Sequence, residues 1–204
     1  MKILVACEES QRVCIAFRNK GHEAYSCDII ECSGEHPEWH IKEDAIKVLY
    51  GQKWDMVIAH PPCTYLTVAG AANIPKHPER IEKGFEAANF FMEFYNYALK
   101  NQCKMCIENP VPMKIFNLPK YTQIIQPYMF GEPYSKRTCL WLFNLEKLTP
   151  TKIIDKSEIE FSPIRYYKGI KKRESKWYNS SNSKERSKTF RGIANAMAEQ
   201  WGAL

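Results

Sequence analysis

Met56 to Ala59 is an unbroken apolar run, Met-Val-Ile-Ala, preceded by Asp55 and stopped by His60, Pro61 and Pro62. A short apolar run closed by a proline pair reads as a buried strand whose C-terminal end is fixed. In open α/β sheets, ligands and chemistry gather at the carboxyl ends of the strands. Here that edge presents Cys63 directly after two rigid prolines. A structural thiol packed as a small hydrophobe is the alternative use of such a residue. A second stretch bears on the choice, because another apolar run further along ends in Glu108-Asn109-Pro110.

The rest of the chain alternates strand and helix signals around this run. Lys2 to Cys7 reads as the first strand. Ser10 is placed to cap a helix running to about Lys20, closed by Gly21. Glu23 to Cys27 is the second strand and ends at Asp28; Glu31 to Lys42 is polar and reads as a loop. Asp44 caps a short helix through Tyr50, ended by Gly51. Thr64 to His77 reads as a long loop. Glu79 to Lys100 is the longest helical pattern, with Phe85, Ala88, Phe91, Met92, Tyr95 and Leu99 as its expected buried stripe. Cys103 to Ile107 is the next strand, Tyr121 to Met129 and Arg137 to Leu145 are strand-like, and Thr189 to Trp201 is a final helix. The pattern predicts an α/β fold: a three-layer sandwich with a mostly parallel sheet and a C-terminal antiparallel strand pair. The 204 residues fit one domain, 1–204, with an irregular basic insertion at about 149–188.

Charge is unevenly distributed. Arg165 to Arg191 carries ten Lys/Arg against two Glu, a net of +8 in a chain whose total is +6, so the remainder is slightly acidic. Interleaved with Tyr166, Tyr167, Trp177 and Tyr178, this stretch has the composition that phosphate neutralisation and base stacking use; a solvated surface loop is the other reading. No apolar run approaches the length of a membrane span. MKILVACEES is too short in its apolar part and too soon acidic for a signal peptide, so the expected location is the cytoplasm. The eight cysteines are then expected to be free thiols. Cys103 and Cys106 have the spacing of half a zinc site, but no second pair follows, and no metal is expected. No glycine-rich turn follows the first strand, only Ala6-Cys7-Glu8-Glu9-Ser10-Gln11, which argues against a dinucleotide enzyme. Asp28 stands where an acidic residue would meet the ribose of a nucleoside-containing cofactor.

Taken together these stretches resemble the catalytic domain of cytosine-C5 DNA methyltransferases, and most of all the family's small, phage-associated members. Pro61-Pro62-Cys63 matches the nucleophile motif and Glu108-Asn109 the Glu-Asn motif. Gly131 to Arg137 resembles the later Gly-x-Pro-Gln-x-Arg motif, and Gly192 to Gly202 the terminal helix beside the cofactor pocket. The resemblance implies S-adenosyl-L-methionine as cofactor and DNA as partner, with the target cytosine flipped out of the stack. It implies catalytic roles for Cys63, Glu108, Asn109, Lys136 and Arg137, and cofactor binding by Cys7, Glu8, Asp28, Asp44, Pro61 and Asn195. The Arg165 to Arg191 stretch would contact phosphates.

The chemistry explains the residue types. Carbon 5 of cytosine is a poor nucleophile until a thiolate adds at C6 and turns the ring into an enamine. Cys63 would be that thiolate, with a lowered pKa expected at a strand end near helix N-termini. Glu108 would hydrogen-bond or protonate N3, Asn109 and Pro110 would fix the loop, and Lys136 or Arg137 would contact the base or its phosphate. The chain departs from the family pattern at three places. Glu9, Gln11 and Arg12 stand where glycines are expected; Tyr134 and Lys136 replace Gln and Arg; the large target-recognition region is nearly missing. Two other readings remain at this stage. An amino-methyltransferase acting on adenine N6 or cytosine N4 would need Asp/Asn-Pro-Pro-aromatic where this chain has His60-Pro61-Pro62-Cys63. A non-catalytic nucleic-acid-binding or inhibitory protein would need neither Cys63 nor Glu108. His60 could tune the thiol beside it or hydrogen-bond within its loop.

Overall fold

The computed structural model describes residues 1–155, 157–161, 165–167, 170–172, 176 and 182–203. Its centre is a seven-stranded sheet. The strands are β1 (Lys2–Ala6), β2 (Glu23–Asp28), β3 (His40–Lys42), β4 (Met56–Ala59), β5 (Lys104–Pro110), β6 (Gln123–Ile125) and β7 (Thr138–Phe143). They lie in the order β3-β2-β1-β4-β5-β7-β6. The first five are parallel, while β7 runs antiparallel to both β5 and β6. A mostly parallel α/β sheet with an antiparallel pair toward the C-terminus is what the sequence pattern predicts.

The central strands carry unbroken apolar runs, Ile3–Ala6, Met56–Ala59 and Met105–Ile107, because both of their faces are buried. Ile3, Val5, Met56, Ile58 and Cys106 point into one core cluster, shared with Val13 and Phe17 of α1 (Arg12–Arg18) and Ile193, Met197 and Trp201 of α5 (Arg191–Gly202). Their alternates Leu4, Ala6, Val57, Ala59, Met105 and Ile107 join a second cluster with Leu49 of α2 (Ala45–Gly51) and Phe91, Phe94 and Ala98 of α3 (Arg80–Asn101). Side chains such as Phe91 and Phe17 are fully buried, each stabilising by roughly 1.5–3 kcal/mol relative to exposure.

Several local expectations are corrected. Ser10 does not cap α1. Gln11 takes the N-cap position in a left-handed conformation, φ 57°, and the Glu8 carboxylate reaches back to the N–H groups of Val13 and Cys14 at 2.7 and 3.1 Å. The buried stripe of α3 is Gly84, Ala88, Phe91, Phe94, Tyr97 and Ala98; Phe85 and Leu99 are exposed. Asp44 caps α2 as expected, accepting from Ile46 and Lys47 N–H. The polar 31–42 segment contains a 3-10 turn, Pro37–Trp39, and edge strand β3. The 64–77 loop carries 3-10 turns over Val68–Lys76. Strand β5 continues through Pro110 because β7 pairs with it to that point, Pro110 opposite Thr138.

In the basic stretch, β8 (Arg165–Tyr167) and β9 (Ile170–Lys172) form a separate antiparallel hairpin, and a short helix, α4 (Ser183–Ser187), precedes α5. Trp177 and Tyr178 lie outside the described residues. Gly192 lets α5 dock, since a Cβ there would meet the Phe130 carbonyl oxygen at 2.0 Å. No helix among the described residues is long and apolar enough to cross a membrane.

Candidate active site at the carboxyl edge of the sheet

Strand order reverses between β1 and β4, so the crevice beyond their carboxyl ends is where an open α/β sheet binds its ligand. Two groups of residues meet there. The first is set by β4, β5 and β7. Parallel pairing of Ala59 with Ile107 makes the next residues, His60 and Glu108, neighbours. His60 Nδ1 lies 3.2 Å from Glu108 Oε2, with both side chains almost completely buried. Burial opposes ionisation of Glu108, but the His60 contact, the Lys136 ammonium and the Thr138 hydroxyl outweigh it and hold the carboxyl below its usual range. Asn109 is fully buried, and its Nδ2 donates to the Pro61 carbonyl at 2.9 Å. That bond straps the Pro61-Pro62-Cys63 turn to β5.

Cys63 is partly exposed. Its thiol does not have the lowered pKa expected from sequence. Burial pushes it up, the Glu108 carboxylate adds to the rise, and Lys136 offsets only part of it. The physical reason is burial first, and then a neighbouring anion that outweighs the one ammonium beside it. The shared electrostatics also show that Cys63, Glu108 and Lys136 occupy one neighbourhood. Lys136 donates to the Arg186 carbonyl at 2.9 Å and lies over the Phe190 ring.

The second group belongs to β1, β2 and the start of α2. Cys7, in a left-handed conformation with φ 59°, is half-buried; burial, then the Asp28 carboxyl, the Cys27 thiol and the Asp44 carboxyl raise its own thiol. Glu8 is buried and capped onto α1; burial raises its carboxyl, although His60 and the N–H groups of Val13 and Cys14 offset part of the rise. Both oxygens of Glu9 are buried without a hydrogen-bond partner among the described residues; the Lys184 ammonium stands 3.8 Å from one of them. Asp28 is held above its usual range by burial, offset in part by the N–H groups of Ile30 and Ile29.

The loop between these groups manages without glycine. Cys7 and Gln11 themselves adopt positive φ. The Gln11 amide turns away from the strand ends, donating to Ser26 Oγ and the His36 carbonyl and accepting from His36 N–H. The one glycine needed is Gly34 on the covering loop, where a Cβ would lie 2.5 Å from the Gln11 Cβ. The Glu8 carboxylate occupies the α1 N-terminus, which is the place a pyrophosphate would take.

Among the described residues, four buried side-chain atoms lack a hydrogen-bond partner: the two Glu9 oxygens, His60 Nε2 and Asn109 Oδ1. All sit at the carboxyl ends of β1, β4 and β5. Buried polar groups are normally satisfied, and unsatisfied ones gathered at one edge mark it as the place to receive a ligand. The structure therefore brings together Cys63, Glu108, Asn109, Pro61 and Lys136, and beside them Cys7, Glu8, Asp28 and Asp44. Arg137 is exposed, its charge registering on Cys139 rather than on Cys63 or Glu108. Asn195 is exposed on α5. The Glu108 contact of His60 and the Glu9 carboxylate without a hydrogen-bond partner were not predicted. The signal for the first was available, since His60 and Glu108 each follow directly on an apolar run of the sequence.

No group of His, Cys, Asp and Glu suited to a metal ion occurs among the described residues. Part of the basic stretch is internally paired: Glu185 meets Lys188 and Arg12, and Arg12 also donates to the Thr189 carbonyl. A shallow depression of about 940 Å³, lined by residues including Tyr50, Trp54, Tyr97 and Lys104, lies at the opposite edge of the sheet, away from these groups. No protein-family model and no curated protein matches the chain.

Proposed function

We propose that this protein is an S-adenosyl-L-methionine-dependent DNA methyltransferase of minimal size, built as a three-layer Rossmann-like sandwich and acting on carbon 5 of cytosine. The observation that carries the reading is the meeting of Cys63, Glu108 and Lys136 at the ends of adjacent strands, with Asn109 strapping the nucleophile turn. A thiol beside a buried carboxylate and a single ammonium is suited to adding to an electron-poor ring.

The residues on the β1–β2 side fit the cofactor. Glu9 offers two unpartnered buried oxygens and Asp28 a carboxyl already raised by burial; both favour a ligand bearing positive charge and hydroxyl donors. Asp28 and Asp44 would hold the nucleoside, with Cys7, Glu8 and Pro61 forming the floor and Asn195 closing from α5. When bound, S-adenosyl-L-methionine supplies a methyl group on a sulfonium.

Cys63 forms its bond to C6 of the flipped cytosine as its thiol proton passes to the neighbouring Glu108 carboxylate. Glu108, protonated in that step, donates to N3 and draws charge from the ring. Lys136 balances the negative charge that the thiolate and Glu108 bring together. After transfer the C5 proton passes to water, the C6–sulfur bond breaks, the aromatic ring returns, and the proton held by Glu108 goes back to the Cys63 sulfur. Arg137, exposed beside the site, and cations of the Arg165 to Arg191 stretch would meet phosphates.

The test is a covalent trap. The protein is mixed with the cofactor and DNA carrying 5-fluorocytosine, single- and double-stranded, and resolved under denaturing conditions. Fluorine blocks the final proton loss, so a DNA adduct that vanishes in Cys63→Ser is expected. Cofactor binding by calorimetry without any adduct would favour an amino-methyltransferase; neither binding nor adduct would favour a non-catalytic nucleic-acid-binding protein.

A further inference from the structure

We infer that His60 is a positioning residue of this site: its imidazole holds the Glu108 carboxylate in place beside Cys63, and Glu8 faces the imidazole from β1. The inference rests on the reading proposed above. A carboxylate oxygen only accepts, so the 3.2 Å contact makes Nδ1 the donor to Glu108 Oε2. Nε2 is buried with no hydrogen-bond partner among the described residues. A histidine kept only for packing would satisfy both nitrogens; this one directs its hydrogen bonding at Glu108.

The contact follows from the fold rather than from chance rotamers. His60 steps directly off β4 after Ala59, and Glu108 follows Ile107, the residue paired with Ala59, within β5. Pro61 fixes the backbone after His60, and Asn109 straps that backbone to the residue after Glu108. Burial of both side chains shields the contact from water, which strengthens it. The groups that face the pair are Glu8 at the end of β1, Cys63 after β4, Cys106 on β5, Lys136 before β7 and Cys139 on β7. Lys136 and His60 are the cationic or proton-donating members of this set, and only His60 is fixed to Glu108 by a strand register. It sets which way the carboxyl faces and keeps it ionised until the base arrives.

The experiment compares His60→Leu and His60→Asn with the parent protein by two readouts. One is the side-chain carboxyl titration of Glu108, followed by carbon-13 NMR of glutamate-labelled protein and assigned with Glu108→Gln. The other is the rate of adduct formation on 5-fluorocytosine DNA. In His60→Leu the Glu108 midpoint should move up by about one pH unit and the adduct rate fall about 10- to 100-fold, the worth of one hydrogen bond to a charged group. Asn places an N–H near the position of Nδ1, so His60→Asn should recover much of both, and it carries the comparison if the leucine variant does not fold. An unmoved Glu108 titration in folded variants overturns the positioning role, whatever the adduct does. A moved titration with no adduct even in the parent protein keeps the His60–Glu108 link and defeats the methyltransferase reading instead.

Discussion

The two halves of the sheet's carboxyl edge are both acidic and both buried, yet they treat their carboxylates oppositely. On the β4–β5–β7 side, Glu108 is drawn below its usual range because His60, Lys136 and Thr138 surround it. On the β1–β2 side, Glu8 and Asp28 are pushed above theirs. Burial is the largest influence on all three, so depth alone does not decide the outcome. Partners do. One half completes its electrostatics with its own residues; the other compensates only in part, through main-chain N–H groups and the Lys184 contact with Glu9, as a pocket for a cationic ligand would.

The sharpest way to break this comparison is to neutralise one carboxylate on each side. Glu108→Gln removes the anion of a buried cluster and leaves Lys136 without it, which should cost about 3 kcal/mol. Glu9→Gln replaces two unpartnered oxygens with an amide, and should leave stability unchanged or raise it by about 0.5 kcal/mol while weakening cofactor binding. Denaturant midpoints measure the first effect and calorimetry the second. Equal losses of stability in both variants would end the distinction. Glu108→Gln should also speed alkylation of Cys63 by iodoacetamide at neutral pH, because the anion that raises the thiol is gone.

A smaller effect is expected at Asn109. Asn109→Ala frees the Pro61 carbonyl inside the protein, at a cost of about 1–3 kcal/mol. It should lower the melting temperature and, more tellingly, slow adduct formation beyond what the stability loss explains, because the strap aims Cys63.

How much of this was legible in the sequence follows from which interactions are local. The strand end at Ala59 and the Asp44 cap depend on neighbouring residues, and the pattern Met-Val-Ile-Ala-His-Pro-Pro was enough to place Cys63 at the carboxyl edge of the sheet. The run ending at Ile107, by contrast, extends to Pro110 through pairing with distant β7. The stripe of α3 was right at Ala88 and Phe91 and wrong at Phe85 and Leu99, because the helix carries aromatic residues nearly all round. Phe91 packs on Trp141 and Gly84 lies under Phe116, leaving Phe85 to meet the Phe116 ring from the exposed side. The α1 cap was misassigned because a left-handed Gln11 folds Glu8 back over the first turn, a geometry that no spacing rule for Ser10 contains. The thiol's pKa was misjudged for a third reason: it depends on which side chains arrive from β5 and β7, and strand order is not local information.

Glu8 supplies the next test on the acidic side. Glu8→Ala strips the cap from Val13 and Cys14 and should cost about 1–2 kcal/mol. Glu8→Gln keeps an acceptor and should recover part of it.

The smallest expected effect is in the pH dependence, and its sign separates the two halves. A carboxyl raised in the folded protein binds protons there before the unfolded chain does, so Glu8 and Asp28 make the protein more stable as pH falls through their raised values toward the ordinary carboxylate range. Glu108, lowered on folding, contributes stability that is present above the ordinary range and is lost as pH falls through its folded value. Stability should therefore rise on mild acidification from neutral pH, by on the order of 1 kcal/mol, and fall again once Glu108 protonates. Glu8→Gln should flatten the rise and leave the fall. Glu108→Gln should do the reverse, because the carboxyl that titrates in the acid limb is absent while Glu8 and Asp28 remain. A protein whose stability only decreases from neutral pH downward would show that the β1–β2 carboxylates are compensated after all, and that the two halves of the edge are electrostatically alike.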